Sequence, residues 1–326
     1  MRRETAGPAS YLIDGPVDGP LMVFVHGWPA TARTWLPQLE AFAADGYRVV
    51  APDMRGYGHS ARPTDRSAYA QRHLVADMLA LLDNLGRDHA LWVGHDWGSP
   101  TVWNLAAHHP DKCVGVASLC VPYRTLERGP TEMLPHVNRE TYPADRYPDA
   151  QFDYMTYYEH NADRVTRLFD SDPGRTVKAF YRSGNPATTI APTATITRDG
   201  GWFGGATTIP DLPLDERVLD KATFEELRTS FEDHGFAGAT AYYLNHADNL
   251  AYSDAAPNPH LELPVLFIEA RNDRVADTAR SDLARPMREH CRDLTEVSID
   301  AGHWVALERA DDVNAAIKRW ASRLVA

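Results

Sequence analysis

Cysteine is scarce in this sequence, and none of it is spaced for metal binding or redox pairing. There are three, Cys113, Cys120 and Cys291, and no two form a CxxC pair. That excludes a disulfide framework and a zinc ribbon, and suits small core residues of a cytoplasmic protein. His108 and His109 are adjacent rather than set at helical spacing, so a HExxH-type zinc pair is missing as well. There is no P-loop and no GxGxxG after a strand, so neither a metal nor a nucleotide cofactor is expected. No apolar run reaches the length of a membrane span. The opening stretch MRRETAGPASYLIDG has two arginines but no apolar segment after them, so no signal peptide is expected. Positive charge is the minority sign, with 33 Lys and Arg against 45 Asp and Glu and a net charge of -12. Nucleic acid and anionic membranes are therefore excluded as expected partners.

What the chain does have is rhythm. LMVFV (21–25), YRVVAPD (47–53), HALWVG (89–94) and CVGVASLCV (113–121) read as buried strands. Helical patterns over 34–46, 68–86 and 99–110 separate them, with Pro37 tolerable only in a first turn and Gly86 as a C-cap. The rhythm stops from about Pro122 to His246, a block rich in Tyr, Arg, Asp and Pro. Within it DGGWFGGATTIPDLPLD (199–215) reads as a loop. Alternation resumes with a strand over LPVLFIEA (263–270), a helix near 276–289, a strand over 294–300 and a helix over 308–323. The expectation is one α/β domain, residues 1–121 and 247–326, with a mostly parallel sheet covered on both faces and a mainly helical cap, 122–246, inserted in it.

The residues that carry chemistry begin with VGHDWGS (93–99). Gly94-His95-Asp96-Trp97-Gly98 has the pattern G-x-nucleophile-x-G of a sharp strand-to-helix turn, with a carboxylate at its tip. A helix-capping Asp would also fit those five residues alone. Two more signals favour a nucleophile. Asp273 follows one later strand and His303 the next, which is the order nucleophile, acid, histidine at strand C-terminal ends. Asp277, four residues beyond Asp273, is the rival acid. Near the first buried strand stands His26-Gly27-Trp28-Pro29, where the backbone N–H of Trp28 would join that of Trp97 as an oxyanion hole.

With these pieces the chain resembles the α/β hydrolases of the epoxide hydrolase (soluble epoxide hydrolase-like) and haloalkane dehalogenase branch, over nearly its whole length. DMRGYGHS (53–60) resembles that branch's Gly-rich loop. The resemblance implies covalent catalysis through an ester on Asp96, with Asp273 orienting His303 to activate water. Epoxide hydrolases of this family also carry two cap tyrosines that bind the epoxide oxygen. AQFDYMTYYEH (150–160) is similar to the segment holding the first, at Tyr154, and GFAGATAYYLNH (235–246) to that holding the second, at Tyr243. Tyr157, Tyr158 and Tyr242 are close enough to be alternatives. Trp28, Trp97, Tyr154, Trp202 and Tyr243 are the implied substrate-binding residues. The cap aromatics Phe152, Tyr157, Phe180, Tyr181, Trp202 and Phe203 point to a mostly apolar small-molecule epoxide, with water as the second reactant. A dehalogenase would grip its halide with Trp97 and either an Asn at position 28 or a cap Trp. Position 28 is Trp, and Trp202 keeps that alternative open. A non-catalytic ligand-binding relative is the third reading. Whether the protein is a monomer or a homodimer is not readable from the sequence.

Overall fold

The computed structural model describes residues 1–324. Eight strands form one sheet in the order β1-β2-β4-β3-β5-β6-β7-β8. They are Arg2–Ala6 (β1), Ala9–Asp14 (β2), Leu21–Val25 (β3), Arg48–Asp53 (β4), Ala90–His95 (β5), Cys113–Leu119 (β6), Leu261–Ala270 (β7) and Cys291–Ile299 (β8). From β4 to β8 all neighbours pair in parallel, while β2 runs antiparallel to both β1 and β4. The central strands β3 and β5 are buried along their whole length, which is why they read as unbroken apolar runs. The edge strands β1 and β8 are polar and partly exposed, which blunts pairing with another chain.

The first three long helices are Leu36–Ala44 (α1), Gln71–Asn84 (α2) and Gly98–His108 (α3); α1 and α3 pack on the sheet and α2 packs against α3. Pro37 sits in the first turn of α1, and Gly86 takes positive φ just beyond α2, both as their chemistry requires. Between β6 and β7 the described residues form helices and loops only. The longer ones are Asp153–Asp170, Pro173–Phe180, Lys221–His234 and His246–Asp254. Residues 199–215 are irregular as expected, apart from a turn at Trp202–Gly205 in which Phe203 and Gly204 have left-handed backbone.

One element has no mark in the sequence pattern, and two expectations need correction. The β1–β2 hairpin leaves no apolar pattern, because RRETA is a polar edge strand without alternation; the pair closes through Gly7 and Pro8. The helix expected near 276–289 is a short turn at Thr278–Arg280 followed by Arg285–His290. Pro286 in the first turn explains the break, since proline starts a helix but cannot continue one. The last helix begins at Ala310 after a separate turn, Val305–Glu308, because Arg309 between them is not helical. All three cysteines are buried. No helix among the described residues is long and apolar enough to cross a membrane.

Strand β4 ends on a buried carboxylate that ties three segments together. Asp53 pairs with Arg3 of β1 and accepts the backbone N–H groups of Ala32 at 2.9 Å and His59 at 3.1 Å. Asp53→Ala should lower unfolding free energy by about 2 kcal/mol or more, since it orphans buried donors. Urea denaturation measures this, and a loss below about 0.5 kcal/mol would remove Asp53 from its tying role.

Candidate active site

Asp96 sits at the turn between β5 and α3 with φ of 50°, a left-handed conformation that few residues other than Gly, Asn and Asp adopt readily. Its backbone carbonyl accepts the Ser99 N–H at 2.9 Å, so α3 starts immediately beyond it. The positive end of that helix faces the carboxylate. A Cβ at Gly98 would collide with the carbonyl of Val25, which explains why the chain is glycine there. The loop after β3 comes as close. A Cβ at Gly27 would overlap Asp96 Oδ1 and the Trp97 backbone nitrogen.

That approach brings the Trp28 N–H to Asp96 Oδ1 at 2.6 Å. The other carboxylate oxygen, Oδ2, stands 3.5 Å from His303 Nε2. On its far side His303 donates from Nδ1 to Asp273 Oδ2 at 2.7 Å. Asp273 Oδ1 accepts the N–H groups of Val275 at 2.9 Å and Ala276 at 3.2 Å. The structure thus brings Asp96, His303 and Asp273 into one line. Asp277 is turned elsewhere: it pairs with Arg280 and Arg274.

Charge explains how the three coexist. Burial works against a charged His303, but Asp273 and then Asp96 outweigh it and raise its pKa from 6.5 to about 10. Burial likewise works against Asp273 ionising. The charge and hydrogen bond of His303, with the two backbone N–H groups, prevail and hold it below the usual carboxylate range.

The tyrosines separate by what their hydroxyls do. Tyr157 donates to the Gly200 carbonyl at 3.2 Å and Tyr242 to the Arg55 carbonyl at 2.9 Å. Tyr158 accepts the indole N–H of Trp202 at 3.0 Å. Tyr154 instead forms part of a small apolar recess with Asp96, His303, Met133, Phe152 and Leu283. Tyr243 lies against Tyr154, with ring centroids 5.6 Å apart, and stands edge-on to the rings of Trp97 and Trp28 at 5.2 and 6.1 Å. Burial, and next the Asp96 charge, push the Tyr154 phenol well above its ordinary range. Burial, then Tyr154 and Asp96, do the same for Tyr243. Both therefore remain protonated donors.

On the other flank of His303 a larger groove of about 620 Å³ opens to solvent. Phe180, Trp202 and Phe203 line it together with Arg182, Asn185 and Asn272. The expected apolar character holds for the recess; the groove is mixed. Tyr181, expected among the substrate aromatics, is packing: it stacks on Trp304 at 3.8 Å and donates to the Pro29 carbonyl at 2.8 Å. The Trp97 backbone N–H lies beside Asp96 Oδ1 but has no hydrogen bond to it, in contrast to that of Trp28.

One trio, His95, Cys120 and His303, brings possible ligand atoms within 4.8 Å. Those atoms are already engaged. His95 Nε2 donates to the His303 carbonyl at 2.7 Å, Cys120 Sγ donates to the same oxygen at 3.3 Å, and His303 holds the two aspartates. Burial, then the neighbouring His303, lower the His95 pKa to about 4, which keeps it a neutral donor. The sequence carries no sign of either tie: Cys120 reads as a small core residue and His95 as a member of the elbow.

A family described as the alpha/beta hydrolase fold matches residues 20–310. Epoxide hydrolase A of Mycobacterium tuberculosis is 32% identical over 311 residues, covering 93% of this chain and 90% of that protein. Rat bifunctional epoxide hydrolase 2 is 29% identical over 93% of this chain, but the chain spans about half, 51%, of that relative. Among solved structures, epoxide hydrolase A from Mycobacterium thermoresistibile has a TM-score of 0.80 at 29% identity, covering 98% of this chain and 97% of that one. An epoxide hydrolase from an endophytic Streptomyces has a TM-score of 0.80 at 30% identity, covering 99% and 95%.

The raised pKa of His303 makes a test with a definite sign. The stability that charged His303 contributes is complete below pH 6.5 and lost as pH rises through about 10. The stability difference between the wild type and His303→Gln should therefore shrink between about pH 6 and about pH 10 in denaturant titrations. An equal difference at both pH values would mean the imidazole is not charged between its aspartates.

Proposed function

Because the chain belongs to the epoxide hydrolases of the α/β-hydrolase superfamily, we propose that it opens an epoxide to a vicinal diol through an ester on Asp96. The observation that carries this reading is the division of labour on one carboxylate. Oδ1 is held by the Trp28 N–H at 2.6 Å, while Oδ2 stands 3.5 Å from His303, and Asp96 and His303 both line the recess. In this reading residues 122–246 are the cap and 1–121 with 247–326 the core.

Asp96 Oδ2 attacks one epoxide carbon and the carbon–oxygen bond opposite it breaks. Tyr154 and Tyr243 hydrogen-bond the departing oxygen, and one gives it a proton; an unprotonated alkoxide in so dry a recess would be costly. A serine at position 96 would be left as an ether, which the enzyme could not hydrolyse. An aspartate is left as an ester, which water can open.

Forming the ester removes the negative charge of Asp96. That charge is one of the causes holding the His303 pKa up, so the imidazole then gives up its proton more readily. The proton it releases balances the one the tyrosinate needs. Neutral His303, kept in orientation by Asp273, takes a proton from water, and the hydroxide attacks the carboxyl carbon of Asp96. The oxyanion forms at Oδ1, where the Trp28 and Trp97 N–H groups serve it. Collapse breaks the bond from that carbon to the alcohol oxygen, the imidazolium of His303 gives its proton to that oxygen to release the diol, and the regenerated carboxyl of Asp96 returns its own proton to His303. The substrate is a small epoxide with at least one apolar arm for the recess.

A dehalogenase on the same nucleophile has one observation in its favour. The indole N–H groups of Trp28 and Trp97 are buried without a partner. Trp202 does not add a third donor, because its N–H is held by Tyr158. The two readings separate at the tyrosines, which have no proton to supply when a halide leaves.

Incubating His303→Ala with styrene oxide should add the mass of one intact epoxide to the peptide containing Asp96. Tyr154→Phe and Tyr243→Phe should each slow formation of that adduct by about 10²-fold. A bromoalkane that alkylates Asp96 while epoxides leave it untouched would replace this reading with the dehalogenase. An Asp96 unmodified by either would leave a non-catalytic binding protein.

A further inference from the structure

The loop that carries His303 is fastened from several sides, and one fastening has no part in the chemistry above. The Glu308 side chain turns back from the short helical turn Val305–Glu308. Its Oε2 accepts the N–H of Gly302, next to His303, at 2.8 Å, and the N–H of Gly184, from the segment after Pro173–Phe180, at 3.0 Å. The two glycines touch so closely that a Cβ on either would strike the backbone nitrogen of the other. A single carboxylate oxygen thus clips two chain segments 118 residues apart in sequence (302 minus 184).

Other bonds show how fully the loop depends on such ties. The His303 carbonyl is held by His95 and Cys120, and the Ala301 carbonyl accepts the Asn272 N–H at 2.9 Å. Trp304 donates to the Phe180 carbonyl at 2.8 Å and stacks on Tyr181. Glu308 is the tie that reaches the peptide immediately before His303 and the 182–184 segment at once.

We infer that Glu308 is a positioning residue that holds the His303 imidazole in line for attack by water on the ester, and that ties this alignment to the placement of the 182–184 segment. The inference rests on the ester reading above. It assigns Glu308 to one half of the cycle. Alkylation needs only Oδ2 and the tyrosines, whereas ester hydrolysis needs an imidazole aimed at a water molecule. A displacement of about 1 Å can reduce such a step by about 10²-fold.

The test is single-turnover stopped-flow with styrene oxide on the full-length wild type, Glu308→Ala, Glu308→Gln and Gly184→Ala. Glu308→Ala should slow ester hydrolysis by at least about tenfold and leave alkylation within about threefold, so that the ester accumulates. Glu308→Gln keeps an acceptor oxygen and should stay within about threefold of wild type in both steps. Gly184→Ala, which spreads the clip from its other side, should reproduce the selective loss. A thermal-stability loss with both rate constants unchanged would overturn the inference, as would equal slowing of the two steps. If the wild type forms no ester at all, the reading of Asp96 fails instead. The His303 Nδ1 proton, followed by NMR in the resting enzyme, then decides the role of Glu308: an unaltered resonance in Glu308→Ala rejects it.

Discussion

The carboxylate of a residue only 7% exposed, set against a ring of aromatic side chains, is the constraint on which this site depends. Burying an unpaired charge is expensive, and the fold answers with three oriented positive groups. The Trp28 N–H meets one oxygen, His303 stands by the other, and the first turn of α3 faces both. Each comes from the C-terminal end of a different parallel strand, or from the helix that follows one. The sheet order puts β3 beside β5, with β6, β7 and β8 following on the other side. The line of Asp96, His303 and Asp273 is therefore a product of strand topology before it is a product of side chains.

The same negative charge acts on its neighbours in one direction. It helps keep His303 protonated in the resting site, and it helps keep Tyr154 and Tyr243 from ionising. In the proposed cycle, esterifying the carboxylate would relax both influences together. The imidazole would then lose the smaller of the two carboxylate influences that hold its proton, at the stage when a base is needed, while Asp273 stays in place. In that reading one charge, present and then absent, orders the two halves of the cycle.

Much of this was legible in the chain because the fold leaves strong marks. Buried parallel strands are apolar throughout, and the elbow needs glycines at fixed offsets from Asp96. Acid and histidine come in a set order after later strands. Other features left no such marks. Asp277 and Asp273 differ only in what surrounds them, and it takes Arg274 and Arg280 to show that Asp277 is occupied. Tyr157, Tyr158 and Tyr242 are set apart from Tyr154 and Tyr243 by hydroxyl partners far away in sequence, such as Gly200, Trp202 and Arg55. The hairpin at the start is polar enough to resemble a loop. Glu308 reads as any acid near a helix end, since its two partners are backbone N–H groups that no side-chain pattern announces.

The left-handed backbone at Asp96 filters chemistry before any substrate arrives. A φ of 50° is tolerated by aspartate and asparagine and is strongly unfavourable for side chains branched at Cβ. Threonine is thus barred from the elbow for steric reasons, although its hydroxyl differs little from that of serine as a nucleophile. Asparagine fits the turn without adding strain, so the nearest inert counterpart of this residue is also the one that least disturbs the loop around it. Which reactions such a turn can host is settled first by the torsion of a single bond, and only afterwards by the reactivity of the group it displays.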